Sequence, residues 1–264
     1  MIHLQGHSAL ITGSTKGVGR SIAIAMARAG ANVVLHGRQR NAAADEAIAA
    51  CRALGVQAEF VTGDLSQPTL AAVDEVYRQA QAALPNLDIL VNNAGTYIDK
   101  PFLEMDWETY EQTMQLNVAS VYFLTQRFAR GWVANKVNGR VLLIGSINGK
   151  LAEPVHTCYD TSKGAIEAMV RSLCVSLAPL GIRVNGLAPG LVRTPLTSVI
   201  ERDDRFRRWM ELHTPNGQVP SSDVCGGGAV YLVSDDAWHV QGQMLLVDGG
   251  MSAWQQPDMP DSWK

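Results

Sequence analysis

Short runs of aliphatic and β-branched residues recur along the chain: A-L-I-T near 9–12, N-V-V-L-H at 32–36, A-E-F-V-T at 58–62, D-I-L-V at 88–91, R-V-L-L-I at 140–144, R-V-N-G-L at 183–187 and M-L-L-V at 244–247. Each reads as a strand. The Ala-rich stretches between them place apolar residues at helical spacing, as in Val18, Ile22, Ala25, Met26 and Ala29, or Leu70, Val73, Tyr77, Ala80 and Leu84. Such spacing gives a helix one apolar face. Seven strands alternating with helices predict an α/β fold, a mostly parallel, doubly wound sheet with right-handed crossovers and helices on both faces. Ligands of such sheets lie beyond the carboxyl ends of the strands, so the loops after the strands are the place to look for chemistry.

Two segments break the rhythm. Residues 194–222 are rich in charge and aromatic rings, and the tail W-Q-Q-P-D-M-P-D-S-W-K from Trp254 carries too much proline and polarity for a core element. The expected organisation is one domain over 1–253, with 194–222 as a lid, and a C-terminal tail over 254–264. A hydrophobic share of 47% in 264 residues supports a single large core. The 22 basic and 25 acidic residues leave a formal charge of −3 with no long run of either sign, which argues against nucleic acid or a membrane surface as partner and for a small molecule. The N-terminus lacks a signal-peptide pattern and no run of 18 apolar residues occurs, so a soluble cytoplasmic protein is expected. The four cysteines, at 51, 158, 174 and 225, have no metal-ligand spacing, and neither a metal site nor a disulfide is expected.

Candidate chemistry begins directly after the first strand, in T-G-S-T-K-G-V-G. Gly13, Gly17 and Gly19 let the backbone turn tightly, while Thr15, Lys16 and Val18 complete a loop that opens a helix, whose free N–H groups and positive dipole end suit a diphosphate. The alternative is a plain glycine turn. After the second strand stands H-G-R-Q-R, with no acid to hold the adenosine ribose hydroxyls of NAD. Arg38, with Lys16, offers positive charge to the additional phosphate of NADP instead; the alternative is two solvated surface cations. In Y-D-T-S-K, Tyr159 and Lys163 are four residues apart and share one helical face.

Together with G-D-L at 63–65, N-N-A-G at 92–95, G-S-I-N at 145–148 and A-P-G-L-V-R-T at 188–194, these residues resemble the short-chain dehydrogenase/reductase family in its single-domain, Rossmann-type form, over nearly the whole chain. The resemblance implies a catalytic tetrad of Asn117, Ser146, Tyr159 and Lys163. Tyr159 would be the general acid/base, its phenol favoured in the ionised form by the Lys163 ammonium. Ser146 would hold the substrate oxygen, Lys163 would also bind the nicotinamide ribose, and Asn117, expected inside a long helix, would hold a water in a proton relay. Asp64 and Leu65 would border the adenine, Asn93, Ala94 and Gly95 would line the cofactor, and Pro189, Gly190, Val192 and Thr194 would meet its nicotinamide end. Asn92 is assigned to supporting the sheet.

The expected activity is NADP(H)-preferring hydride transfer between nicotinamide and a secondary alcohol or ketone, with NAD as the second cofactor. A small sugar or polyol is favoured because Asn148, Glu153, His156 and Tyr97 bring polar groups toward Ser146 and Tyr159, and Trp209 and His213 lie on the segment that would close over them. The alternative for the rim is that Glu153 and His156 turn outward. Competing functions are a 3-oxoacyl carrier-protein reductase or broad carbonyl reductase, for which Arg193, Arg202, Arg205, Arg207 and Arg208 would form a basic patch, and a non-catalytic dinucleotide-binding regulator. A homotetramer is expected, with Trp254 and Trp263 of the tail reaching a neighbouring subunit. C-G-G-G at 225–228 departs from good helix composition and suggests close helix packing, within or between subunits, the alternative being a frayed first turn.

Overall fold

Alternation along each strand divides the apolar side chains between two cores. Ala9 and Ile11, Val33 and Leu35, Ile89 and Val91, Leu142 and Ile144 face one core, and the intervening Leu10, Val34, Leu90, Val141 and Leu143 face the other. The period of two that sends neighbours to opposite faces is the geometry of a strand, and apolar residues in both phases mark a sheet covered on both sides. The computed structural model describes residues 2–67, 70–195, 197 and 202–254.

The strands are β1 (Ser8–Ile11), β2 (Asn32–Gly37), β3 (Ala58–Thr62), β4 (Ile89–Asn92), β5 (Arg140–Ile144), β6 (Arg183–Pro189) and β7 (Met244–Val247). They form one sheet in the order β3-β2-β1-β4-β5-β6-β7, and every strand pairing among the described residues is parallel. Three of the seven predicted runs match to the residue; β6 runs on to Pro189, and β1 and β4 are offset by one position.

The helices are α1 (Gly17–Arg28), α2 (Ala42–Arg52), α3 (Leu70–Ala83), α4 (Trp107–Met114), α5 (Ser120–Asn135), α6 (Thr157–Leu177), α7 (Asp204–His213) and α8 (Val224–Val233). The first core is closed by α1, α2 and α8, the second by α3, α5 and α6. Each fully buried large side chain, such as Ile22, Leu35, Leu124 or Phe128, contributes about 1.5–3 kcal/mol of burial.

One local feature departs from expectation, and a second locates an expected packing. The helix through Asn117 is not continuous: α4 and α5 are joined by a π turn over Gln115–Ala119, and such wide turns recur at functional sites. Two glycines of C-G-G-G serve packing inside the subunit, since a Cβ on Gly226 would stand 2.7 Å from Ala25 Cβ of α1 and one on Gly228 3.0 Å from Leu245 Cδ2, whereas Gly227 faces open space. Of the predicted lid, residues 196 and 198–201 lie outside the described residues, as do 255–264 of the tail, including Trp263.

Candidate active site

Strand order reverses between β1 and β4, and the crevice at this switch point is where a doubly wound sheet takes a ligand. Its floor is stitched by the Asn93 amide, whose Nδ2 donates to the carbonyls of Thr12 (2.9 Å) and Gly13 (3.0 Å). In return the Thr12 hydroxyl accepts from the backbone N–H groups of Asn93 and Ala94, both at 2.9 Å. Gly13 sits at φ +61, and a Cβ on Gly19 would come 2.4 Å from Asn93 Nδ2 and 2.5 Å from the Gly13 carbonyl. No side chain larger than hydrogen fits at Gly19. The glycine spacing is therefore a packing requirement between two loops and not a plain turn.

A neutral imidazole completes this floor. His36, 2% exposed at the end of β2, accepts at Nδ1 from the Gly13 N–H (3.2 Å) and donates from Nε2 to the Gly63 carbonyl (3.0 Å). Burial pushes its pKa down to about 4, against weaker raising contributions from the Gly63 hydrogen bond and the Asp64 charge. Only the neutral ring can accept from Gly13 while donating to Gly63. The sequence reading passed over this residue because a lone histidine in a strand carries no motif.

The crevice suits a dinucleotide. No side chain caps α1, whose N-cap is Lys16, so the orphan N–H groups of its first turn are left for a diphosphate. Lys16 and Arg38 are exposed at the mouth. Arg40 is tied to Asp45 at 2.7 Å, whereas Arg38 acts only through space on Asp64. Asp64 is held by the Ser66 hydroxyl at 2.6 Å. Leu65 corrects one expectation: its side chain is buried in the second core, leaving only its main chain to border a ligand. At the other end, a Cβ on Gly17 would touch Thr194 at 3.6 Å, so the glycine loop and the loop after β6 converge there. Thr194 is braced by Thr197, Gly190 donates its N–H to the Val247 carbonyl, Pro189 ends β6, and Val192 is buried. Gly95 abuts the Asn117 amide, and Val18 and Thr15 are half-buried along the loop.

Ser146, Tyr159 and Lys163 come together beyond β5. Ser146 caps the short turn Ile147–Gly149, and its hydroxyl acts on the Tyr159 phenol in the direction that favours ionisation. Lys163 is buried, donates to the Ile144 carbonyl at 3.0 Å, and stands 5.5 Å from the centre of the Tyr159 ring. Burial lowers the ammonium to about 8. The phenol does not behave as expected: burial raises it to about 12, helped by the Asp160 and Glu153 charges and opposed by the Ser146 hydrogen bond. Desolvation and the neighbouring carboxylates outweigh the Ser146 contact, so Tyr159 is held protonated at neutral pH.

Asn117 is held within this arrangement by three hydrogen bonds. Its Nδ2 donates to the Thr96 carbonyl (2.8 Å) and to Ser162 Oγ (3.0 Å), and its Oδ1 accepts from the Thr96 N–H (2.9 Å). It braces the loop after β4 against α6. Asn92, as expected, supports the sheet by donating to Thr125.

Tyr97 and His156 do face the phenol, with ring centroids 5.8 and 6.2 Å from that of Tyr159. Asn148 is buried, and its amide donates to Asp160 at 2.7 Å while its backbone N–H donates to Ser146 Oγ at 3.1 Å. It orders Ser146 and does not line open space. Asp99, Asp160 and Ser162 were missed; only their neighbours in N-N-A-G and Y-D-T-S-K pointed to them. The arginines of α7 do not form a bare basic patch, since Arg207 pairs with Asp204 at 2.8 Å and Asp203 caps the helix.

Three comparisons bear on this geometry. Residues 13–252 match the family described as enoyl-(acyl carrier protein) reductase. Among curated proteins, an L-rhamnose 1-dehydrogenase (NADP(+)) of Thermoplasma acidophilum is 35% identical over 95% of this chain and 98% of its own, and a gluconate 5-dehydrogenase of Gluconobacter oxydans is 33% identical over 96% and 97%. Among solved structures, a gluconate 5-dehydrogenase from Burkholderia cenocepacia in complex with NADP and tartrate superposes with a TM-score of 0.88 at 32% identity, covering 96% of this chain and 98% of that one. Sheet order, glycine loop and the serine, tyrosine and lysine beyond β5 agree with matches that run almost end to end, and the chain belongs to the short-chain dehydrogenase/reductase family.

Proposed function

We propose that the protein is an NADP(H)-preferring oxidoreductase that interconverts a secondary alcohol and a carbonyl on a small sugar or polyol. The observation that carries the reading is the juxtaposition of Tyr159, Ser146 and Lys163 at the open end of a dinucleotide crevice whose second strand is followed by Arg38 instead of an acid. The two curated relatives act on sugars or sugar acids by their names, one with NADP, and the solved neighbour holds NADP. When bound, the cofactor supplies or accepts the hydride.

The residues of this chain handle the proton. Ser146 donates a hydrogen bond to the substrate oxygen and holds it beside the phenol. Toward the alcohol, the Tyr159 proton passes to the oxygen as hydride reaches the carbon; toward the carbonyl, the alcohol O–H proton passes to the phenolate as the C–H hydride leaves. A phenol held up at about 12 is ready to donate at neutral pH, so oxidation speeds up as pH rises and deprotonates it. Lys163 would hold the ribose of the bound cofactor, and Asn117 keeps the 95–97 loop in place. A panel of aldoses, ketoses and polyols beside 3-oxoacyl thioesters and hydrophobic ketones tests the reading. A kcat/KM at least tenfold higher for an apolar ketone or thioester than for every sugar refutes it.

The same reading takes the protein as a cytoplasmic homotetramer. The four cysteines are free thiols, the state a reducing compartment maintains. Along α4 and α5, Trp107, Tyr110 and Tyr122 form an exposed apolar face, with Trp107 at 70% exposure, the kind of surface a subunit covers. Trp107→Glu with Tyr122→Glu is expected to lower the mass measured by light scattering, and a wild type that runs as a monomer at micromolar concentration refutes the assembly.

A further inference from the structure

Two stretches remote in sequence build the rim that faces Tyr159: the loop after β4 with Tyr97 and Asp99, and the loop before α6 with Glu153 and His156 running into the first turn of α6 with Asp160. Backbone and side-chain bonds join them. The Lys100 N–H donates to the Val155 carbonyl at 2.9 Å, His156 Nε2 donates to Asp99 Oδ1 at 2.5 Å, and His156 Nδ1 lies 3.3 Å from Glu153 Oε2. The Glu153 N–H donates to Asp160 Oδ2 at 3.0 Å. Tyr97 packs its ring edge-on against both His156 and Tyr159.

The charge of this rim is one-sided. Three carboxylates stand against one histidine, so even a protonated His156 leaves it negative. The lysines of the same loops do not neutralise it: Lys100 is bound to Asp106, and Lys150 leans toward Glu167 at 3.9 Å. Lys163 is buried under Tyr159 and bonded to Ile144. The field reaches the reacting oxygen, because Asp160 and Glu153 are among the groups that raise the Tyr159 phenol. Half-exposed Glu153 and exposed Asp99 retain free lone pairs, which a hydroxyl donor satisfies and a carboxylate cannot.

We propose that Asp99 and Glu153, held in place by His156, make this cleft select uncharged polyhydroxylated substrates, aldoses or polyols, against aldonates of the same carbon chain. The inference rests on the sugar or polyol reading above and divides that class by charge. Selection works through repulsion as much as attraction: an aldonate carboxylate entering the rim loses water, meets like charge, and finds the lysines of these loops engaged by Asp106 and Glu167. A neutral chain instead donates its hydroxyls to the two carboxylates.

The test measures kcat/KM with saturating NADP+ for paired aldoses, polyols and aldonates, in the wild type and in Asp99→Asn and Glu153→Gln, at low and high salt. Calorimetric Kd values for the same compounds on the NADP-loaded Tyr159→Phe protein accompany it. The best neutral substrate is expected to exceed the best aldonate by tenfold or more at low salt, about 1.4 kcal/mol. Each isosteric amide variant should narrow that gap at least fivefold, as should high salt. A smaller preference in the wild type, or a gap unchanged in both variants, overturns the proposal. If neither class is turned over, the sugar reading itself fails, and the order of Kd values still decides whether the rim selects by charge.

Discussion

The two ends of the crevice are built by different means. At the dinucleotide end, position is set by backbone: Gly13 and Gly19 press against Asn93, and His36 links the loops after β1 and β3 through main-chain N–H and carbonyl groups. At the substrate end, position is set by side chains bonded to one another, His156 to Asp99, Asn148 to Asp160 and Asn117 to Ser162. Backbone contact leaves little room for substitution, whereas a side-chain network can be re-specified one residue at a time while the sheet beneath it stays the same. One end is suited to keep a cofactor common to many reactions and the other to change substrates.

The sharpest way to separate the two ends is to remove one oxygen. Tyr159→Phe should lower kcat by at least about a thousandfold, some 4 kcal/mol of transition-state stabilisation, while the Kd for NADP(H), measured by fluorescence titration, moves less than about twofold. Retention of more than about a tenth of wild-type kcat removes Tyr159 from the acid/base role.

The converse perturbation acts on the dinucleotide end through pH. The pKa of His36 is depressed in the fold, from 6.5 to about 4, so the unfolded chain takes up a proton that the folded chain refuses. Its contribution is fully present above about pH 6.5 and is lost as pH falls toward 4, an expected loss of about 3 kcal/mol. Urea unfolding at pH 7 and pH 4.5 should show a steeper loss for the wild type than for His36→Gln; equal slopes refute the assignment.

The smallest expected effect lies at the mouth of the same end. Arg38→Ala should reduce the ratio of kcat/KM with NADP to that with NAD by about tenfold, near 1.4 kcal/mol, without altering the ranking of substrates. A wild type indifferent between the cofactors, or a variant with an undiminished ratio, refutes the role of Arg38.

Legibility followed the same division. A-E-F-V-T, R-V-L-L-I and M-L-L-V became β3, β5 and β7 unchanged, because short runs rich in aliphatic and β-branched residues, set between helical stretches, leave few other options. The glycine loop was legible because a constraint on backbone appears as residue type at fixed spacing. The π turn at Asn117 was not, since the helical spacing runs through it without a signal. Asp160 and Asp99 could not be assigned partners, because those partners are set by how the two stretches of the rim meet. The depressed Lys163 and elevated Tyr159 were also illegible: spacing puts an ammonium near a phenol, but only burial decides which effect wins.

The stitch between β1 and β4 has a kinetic consequence. The bonds from Asn93 to Thr12 and Gly13 span about eighty residues, and parallel neighbours cannot be brought together by a hairpin. During synthesis the glycine loop emerges early but has no floor until β4 and its following loop have left the ribosome. The first core must therefore wait, with Ile11, Val33 and Leu35 awaiting Ile89 and Val91, and a chain interrupted before residue 95 exposes apolar strand surface to chaperones and to other nascent copies.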